Sequence, residues 1–313
     1  MAVNFLKGEF YVTDELQNKM HCLNLCGVLR WTLPRQHDAT GVFNGPSAVT
    51  VLPNGWIAVA DRQNKRIQML RSTGSVRFFF ACIDAPVAIA SDCNSNIFVI
   101  TESFHIEVYV KFGKLLHSVK MHKPLNSGRK LVKATACVVD SGELMTGEKP
   151  FKRWLIILTP GVKEDLHVYG MQHARLVHLS STRSVLFFGH LYGRASCVAS
   201  EDVDDCGVDE SSSPSCSTRR FMLLPQSDSL YIAFLMADSL NGCIVRVWLD
   251  TDTHQLVPQL SRLIFTPSGS LAQKPGAIIK LPGQQLALAG LIVPHRSKPL
   301  DQDPSPSVQI WQL

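Results

Sequence analysis

The stretch Gly45 to Leu70, GPSAVTVLPNGWIAVADRQNKRIQML, constrains this chain more than any other, because it writes three short strands and two tight turns in succession. Ala48 to Leu52 is apolar and rich in β-branched residues. Pro53-Asn54-Gly55 turns the chain: proline sets φ, and Asn-Gly tolerates the positive φ of a tight hairpin. Trp56 to Ala60 then returns antiparallel. Asp61 to Lys65 makes a second polar connection, whose Asp and Asn side chains cap neighbouring backbone groups, and Arg66 to Leu70 is the third strand.

The unit recurs, and recurrence turns a local pattern into an architecture. Asn96 to Tyr109 repeats it with Thr101 in the place of Asp61, Ala85-Pro86 stands where Gly45-Pro46 does, and Gly113 matches the turn glycine Gly74. Upstream, Ala2 to Asp14 (AVNFLKGEFYVTD) aligns with Ala48 to Asp61 (AVTVLPNGWIAVAD). A period of about 40 to 45 residues with four strands per unit predicts a radial β-propeller. These residues resemble the NHL repeat, in which Gly-Pro opens the blade, Pro-x-Gly makes the first turn, and Ala-Asp is followed by Asn-x-Arg-Ile-Gln. The resemblance covers about the first 118 residues.

Further units follow from pattern alone. Ala134 to Asp140, Trp154 to Thr159 and Leu166 to Tyr169 read as a fourth, with Ser141 to Arg153 enlarging its first turn. Phe221 to Pro225, Leu230 to Met236 and Cys243 to Leu249 read as a fifth, and Ala277 to Leu281, Gln285 to Val293 and Ser307 to Gln312 as a sixth. Ala174 to Val198 is extra, either the outer strand of the fourth unit plus a hairpin or a degenerate unit of its own. The expectation is an all-β, six-bladed, NHL-like propeller occupying residues 1–313 as one domain, with seven blades as the alternative. A propeller escapes the usual size limit of a single core because each blade packs only on its neighbours. No run approaches the roughly 18 apolar residues of a membrane span, and the amino terminus lacks the basic and apolar regions of a signal peptide, so a cytoplasmic protein is expected. Since the first strand begins at the first residues, the expectation is either one part of a longer protein or a gene product that lost its upstream domain.

Nine cysteines in irregular spacing argue for buried free thiols over a disulfide framework. His21-Cys22 with Cys26 lacks the second pair of ligands that a zinc site needs. The segment 200–219 carries Glu201, Asp202, Asp204, Asp205, Asp209 and Glu210, several serines and almost nothing apolar, which predicts a disordered loop. Ser211 to Ser213, beside Asp209 and Glu210, suit an acid-directed kinase.

Apart from those six carboxylates, the chain holds 31 Lys and Arg against 20 Asp and Glu, a formal +11. Lys111 to Lys133 contains seven Lys and Arg and no acid. In a propeller, the turns between second and third strands and the crossings between blades emerge on one side. Lys19, Arg62, Lys65, Lys123, Arg129 and Lys130 are therefore expected to share a binding face, with Phe104 and His105 offering stacking surfaces. Such a face attracts polyphosphate or anchors a protein. The inner strands, by contrast, are apolar throughout apart from Asn4, Thr50 and Lys280, so no cation cage, cofactor site or nucleophile triad is legible and the chain is expected to be non-catalytic.

The NHL resemblance implies an interaction module like the carboxy-terminal propellers of RING and tripartite-motif ubiquitin ligases, which choose a protein substrate; others of the family bind single-stranded RNA and repress it. A propeller hydrolase or lyase ranks behind both. The chain itself contains no RING, B-box or coiled-coil segment. No cofactor is expected, and the partner is a protein or single-stranded RNA, met by a monomeric propeller away from any membrane.

Overall fold

In this computed structural model the described residues are 1–34, 42–121, 130–141, 150–160, 164–172, 175–188, 195–200, 221–223, 230–238, 243–260, 262–265, 275–281, 285–291 and 306–312. The chain divides into two compact units, Met1–Val138 with Met171–Leu176, and Val139–Gly170 with Val177–Leu313.

Three four-stranded antiparallel meanders build the first unit. They are β1 (Ala2–Asn4), β2 (Glu9–Asp14), β3 (Lys19–Asn24) and β4 (Leu29–Leu33); β5 (Pro46–Val51), β6 (Ile57–Asp61), β7 (Arg66–Leu70) and β8 (Val76–Ala81); and β9 (Pro86–Ser91), β10 (Asn96–Thr101), β11 (His105–Val110) and β12 (Leu115–Lys120). The Pro53-Asn54-Gly55 turn forms as its residues demand: Gly55 takes φ +78° and donates its N–H to Leu52 O. Strands in the middle of a sheet, such as β6 and β10, are buried along nearly their whole length. Their apolar runs follow from neighbours covering both faces of the blade. At the rim, β8 alternates instead, with Arg77 and Phe79 exposed.

The sheets meet through two apolar layers. Tyr11, Met20, Leu33, Phe43, Val49 and Ile57 fill the space between the first and second sheets. Leu52, Ile67, Met69, Ile89, Ile97 and Tyr109 fill the space between the second and third. One contact repeats at the rim. Trp31 of the first sheet lies over Gly74, in the last turn of the second, and Phe80 of the second lies over Gly113, in the last turn of the third. Both glycines have φ near +85°, and a Cβ at Gly113 would stand 2.6 Å from the Phe80 ring. The inner strands lie side by side, Thr50 Oγ1 meeting Ser91 Oγ at 2.9 Å and Ser47 Oγ donating to Pro86 O at 3.0 Å.

The fourth sheet runs β13 (Thr135–Asp140), β14 (Arg153–Leu158), β15 (Leu166–Gln172) and β16 (Arg175–Thr182). Much of the stretch Ala174 to Val198 is thereby the sheet's outer strand, a 3-10 turn at Ser184–Phe187, and the start of the next strand. The fifth sheet contains β17 (Ala195–Ser200), β18 (Phe221–Leu223), β19 (Leu230–Asp238), β20 (Cys243–Asp250) and β21 (Arg262–Phe265). Its inner edge is a divided strand. β17 pairs with β19 up to Ser200 opposite Phe234, and β18 resumes in the same direction with Phe221 opposite Ile232. Residues 201–220 lie outside the described residues, and of the expected loop only Ser200, ending β17, is described.

The last sheet, β22 (Pro275–Leu281), β23 (Gln285–Leu291) and β24 (Pro306–Gln312), has three strands. The expectation of six or seven blades is therefore corrected to five, the sheets with four strands or more. Periodicity counted each group of apolar runs as a unit, whereas a complete blade needs a fourth strand hydrogen-bonded along its outer edge. None joins this sheet among the described residues.

Candidate functional site

The residues that spell the repeat in Gly45 to Leu70 converge on one carboxylate. Asp61 is wholly buried and accepts from Asn44 N (2.7 Å), Asn64 Nδ2 (2.9 Å), Arg66 Nε (2.7 Å) and Gln68 Nε2 (2.9 Å). Arg66 and Gln68 also donate to Val42 O. The Asp, Asn, Arg and Gln of this repeat are thus a clamp: they tie the turn between β6 and β7 to the segment that enters the blade. Buried charge is tolerated because every donor around it points inward.

One position further along, equivalent residues of three repeats form a chain. Glu15, Arg62 and Glu102 follow Asp14, Asp61 and Thr101, and Arg62 donates to Glu15 Oε1 at 3.1 Å and to Glu102 Oε1 at 2.9 Å. Lys130 continues it, 3.2 Å from Glu102 Oε2. Lys65 pairs with Asp84 at 3.2 Å, whose carboxyl is held below its usual range by backbone and Lys65 hydrogen bonds that outweigh its desolvation. Lys19 donates to Gln17. Arg62 and Lys130 thus meet through Glu102, and Lys65 stands beside Asp84, each of these cations with a carboxylate that balances it. His105 sits beside Ser103, while the Phe104 ring, at φ +61°, is only 5% exposed and packs inward. Lys123 and Arg129 lie outside the described residues.

The first and third turns of each sheet emerge at the other end, and there the cations meet aromatic rings. Trp56, just before β6, makes edge contacts with Phe78 and with Phe112 of the next sheet, at ring-centre distances of 6.1 and 6.0 Å. The Arg77 guanidinium lies 4.1 Å above the Trp56 ring, and Lys111 Nζ 5.1 Å from that of Phe112. Phe112 is 65% exposed. Alternation along β8 places Arg77 outward, and the packing of two repeats joins Trp56, which it covers, to Phe112. The sequence signal was present in Trp56, Arg77 and Lys111-Phe112, all beside turns.

Buried polar groups elsewhere serve the blades. Tyr109 donates to Glu107 Oε2, whose partner atom Oε1 has no hydrogen bond, and burial pushes the Glu107 carboxyl above its ordinary range. Cys82 nearby is pushed up to about 12, first by burial and then by Glu107, which leaves it a thiol. In the second unit the Ser181 hydroxyl sits 2.8 Å from both His167 Nδ1 and His178 Nε2, and Thr159 meets His167 Nε2 at 3.1 Å. Among the described residues, no group of three or more His, Cys, Asp or Glu side chains is arranged to hold a metal ion, and no helix is long and apolar enough to cross a membrane.

No family model and no curated protein matches the chain. Its fold is similar to that of U3-55K (TM-score 0.57, 11% identity, 98% of this chain and 92% of that one). It is also similar to virginiamycin B lyase from Staphylococcus aureus (TM-score 0.51, 12% identity, 98% and 81%) and to a streptogramin B lyase (TM-score 0.50, 12% identity, 90% and 72%). At such identities the likeness defines a class of fold, the β-propeller, and no activity.

Proposed function

We propose that this chain is a non-catalytic interaction module, an NHL-like propeller that recognises a protein partner as the substrate-choosing propellers of ubiquitin ligases do, in the cytoplasm. One observation carries the reading. The fold uses Asp61, Arg62 and Glu102 internally, but leaves Trp56, Arg77 and Phe112 together at an exposed seam between two sheets. Tryptophan and arginine with an aromatic neighbour are the residues that most often dominate binding energy at protein interfaces.

Single-stranded RNA is the second reading. It is supported by Lys65 and Lys130, whose side chains are 59% and 73% exposed despite their ion pairs, and by the place of Lys130 within the acid-free stretch Lys111 to Lys133. Crosslinking and purification of the tagged full chain from cells separates the two. Protein recovered without RNA supports the adaptor. RNA recovered with a binding constant that falls steeply with salt, and lost in Lys65→Glu and Lys130→Glu, replaces it.

A further inference from the structure

We infer that the seam around Trp56 and Phe112 is a docking surface for an acidic protein segment carrying an apolar side chain. The inference rests on the interaction-module reading and names the chemistry of the partner. Charge is the first reason. At this end of the three sheets Lys7, Arg71, Arg77, Lys111 and Lys114 all stand in or beside turns. The two described carboxylates at the same end are already occupied: Glu9 is buried and bonded to Tyr11 and Arg30, and Asp92 is buried and accepts from the Asn94 and Asn96 N–H groups. Among the described residues the opposite end sets Glu15, Asp84 and Glu102 in ion pairs with its cations.

Ring occupancy is the second reason, and it separates a peptide from a nucleic acid. Bases bind by stacking on open aromatic faces. Here the Arg77 guanidinium already lies over the Trp56 ring, and Phe78 and Phe112 make T-shaped contacts with it. A guanidinium over a ring still has N–H donors to offer, and its planar fork suits a carboxylate taken by two parallel hydrogen bonds. Phe112, exposed and sharing an edge with Trp56, supplies the apolar contact beside it, and exposed Leu6 lies at the same end. An Asp- or Glu-rich segment with a Leu or Phe matches both halves of the surface.

The test is fluorescence anisotropy of the full chain with a fluorescein-labelled peptide alternating Glu-Asp pairs with Leu and Phe. Its counterpart with Lys for every acid and an oligo(U) RNA of equal length serve as the other probes. The acidic peptide should bind, the lysine peptide should not, and affinity should fall about tenfold in Arg77→Glu and in Lys111→Glu and severalfold in Phe112→Ala. Leu16→Ala, at the opposite turns, should change nothing. Two independent charge reversals guard against a variant that fails to fold, and melting temperatures identify one. Equal peptide binding by the wild type and both reversals overturns the inference, as does RNA binding that depends on Arg77 while the peptide fails to compete. If cells yield a crosslinked protein partner that Arg77→Glu and Lys111→Glu still hold, this surface is wrong while the interaction-module reading stands. If the wild type recovers no protein at all, that reading falls whatever the peptide does.

Discussion

Replacing Asp61 by asparagine changes one atom in the clamp of the second blade and reverses half of its hydrogen-bonding character. All four partners of Asp61 are donors, three of them on Oδ2 and one on Oδ1, and the side chain is fully buried. An asparagine oxygen can serve one side only, so its amide nitrogen must face at least one N–H with another N–H. A hydrogen bond to a charged group contributes about 1.5–3 kcal/mol, and breaking one partner of a buried ion pair costs roughly 3–5 kcal/mol. With Arg66 Nε at 2.7 Å and only partly exposed, Asp61→Asn should lose about 3–5 kcal/mol. At around 2–4 °C per kcal/mol for a chain of this size, that is a fall in melting temperature on the order of 10 °C. Urea unfolding followed by tryptophan fluorescence gives the free energy, and Asp14→Asn supplies the comparison. Asp14 occupies the equivalent place in the first repeat, but among the described residues it accepts from the exposed backbone N–H of Gln17, so it should lose no more than about 0.5 kcal/mol. A loss below about 1 kcal/mol for Asp61→Asn, or equal losses for the two, would refute the clamp.

Three further outcomes follow from the packing. Burial raises the Glu107 carboxyl, so its contribution to stability is greatest when it is protonated, near pH 4 and below, and is lost as pH rises through the raised value. Glu107→Gln should therefore gain about 1 kcal/mol over the wild type at pH 8 and little at pH 4; a constant difference across that range in urea titrations refutes the sign. Gly113→Ala places a Cβ 2.6 Å from the Phe80 ring at φ +83°, and should lose roughly 2–4 kcal/mol, partly restored by Phe80→Ala; a neutral substitution would mean that the two blades do not meet there. Ser200 and Phe221 face β19 residues two apart, Phe234 and Ile232, so one residue in place of 201–220 should bridge β17 and β18 and leave the melting temperature unchanged within a few degrees. A large drop would show that 201–220 holds the blade together.

The strand and turn pattern of the first three blades was legible in the sequence because it is local. Proline and Asn-Gly set backbone angles over a few residues, and apolar runs of five or six residues bounded by such turns have no helical alternative. The same locality misled the count: three apolar runs after residue 275 carry the period of a blade without a fourth strand to complete it. It also concealed the divided inner edge of the fifth sheet, since Ala195–Ser200 and Phe221–Leu223 are far apart in sequence and become one line only by pairing with β19. Candidate residues show the division most plainly. Blade order assigns Lys65, Arg62 and Lys130 to one side, and Glu15, Arg62 and Glu102 each stand one residue beyond the aligned Asp14, Asp61 and Thr101. Whether those charges stand free or neutralise one another is decided by distances of about 3 Å between blades, which no spacing along the chain encodes. Phe104 was assigned from its place in a turn, yet its side chain is buried, with the backbone at positive φ. Trp56, Arg77 and Phe112 come from two repeats and from strands and turns of different rank. Arg77 and Trp56 meet within one blade, but only the lateral packing of that blade on the next sets Phe112 against Trp56 at an exposed seam, because contact between sheets is a property of the pair.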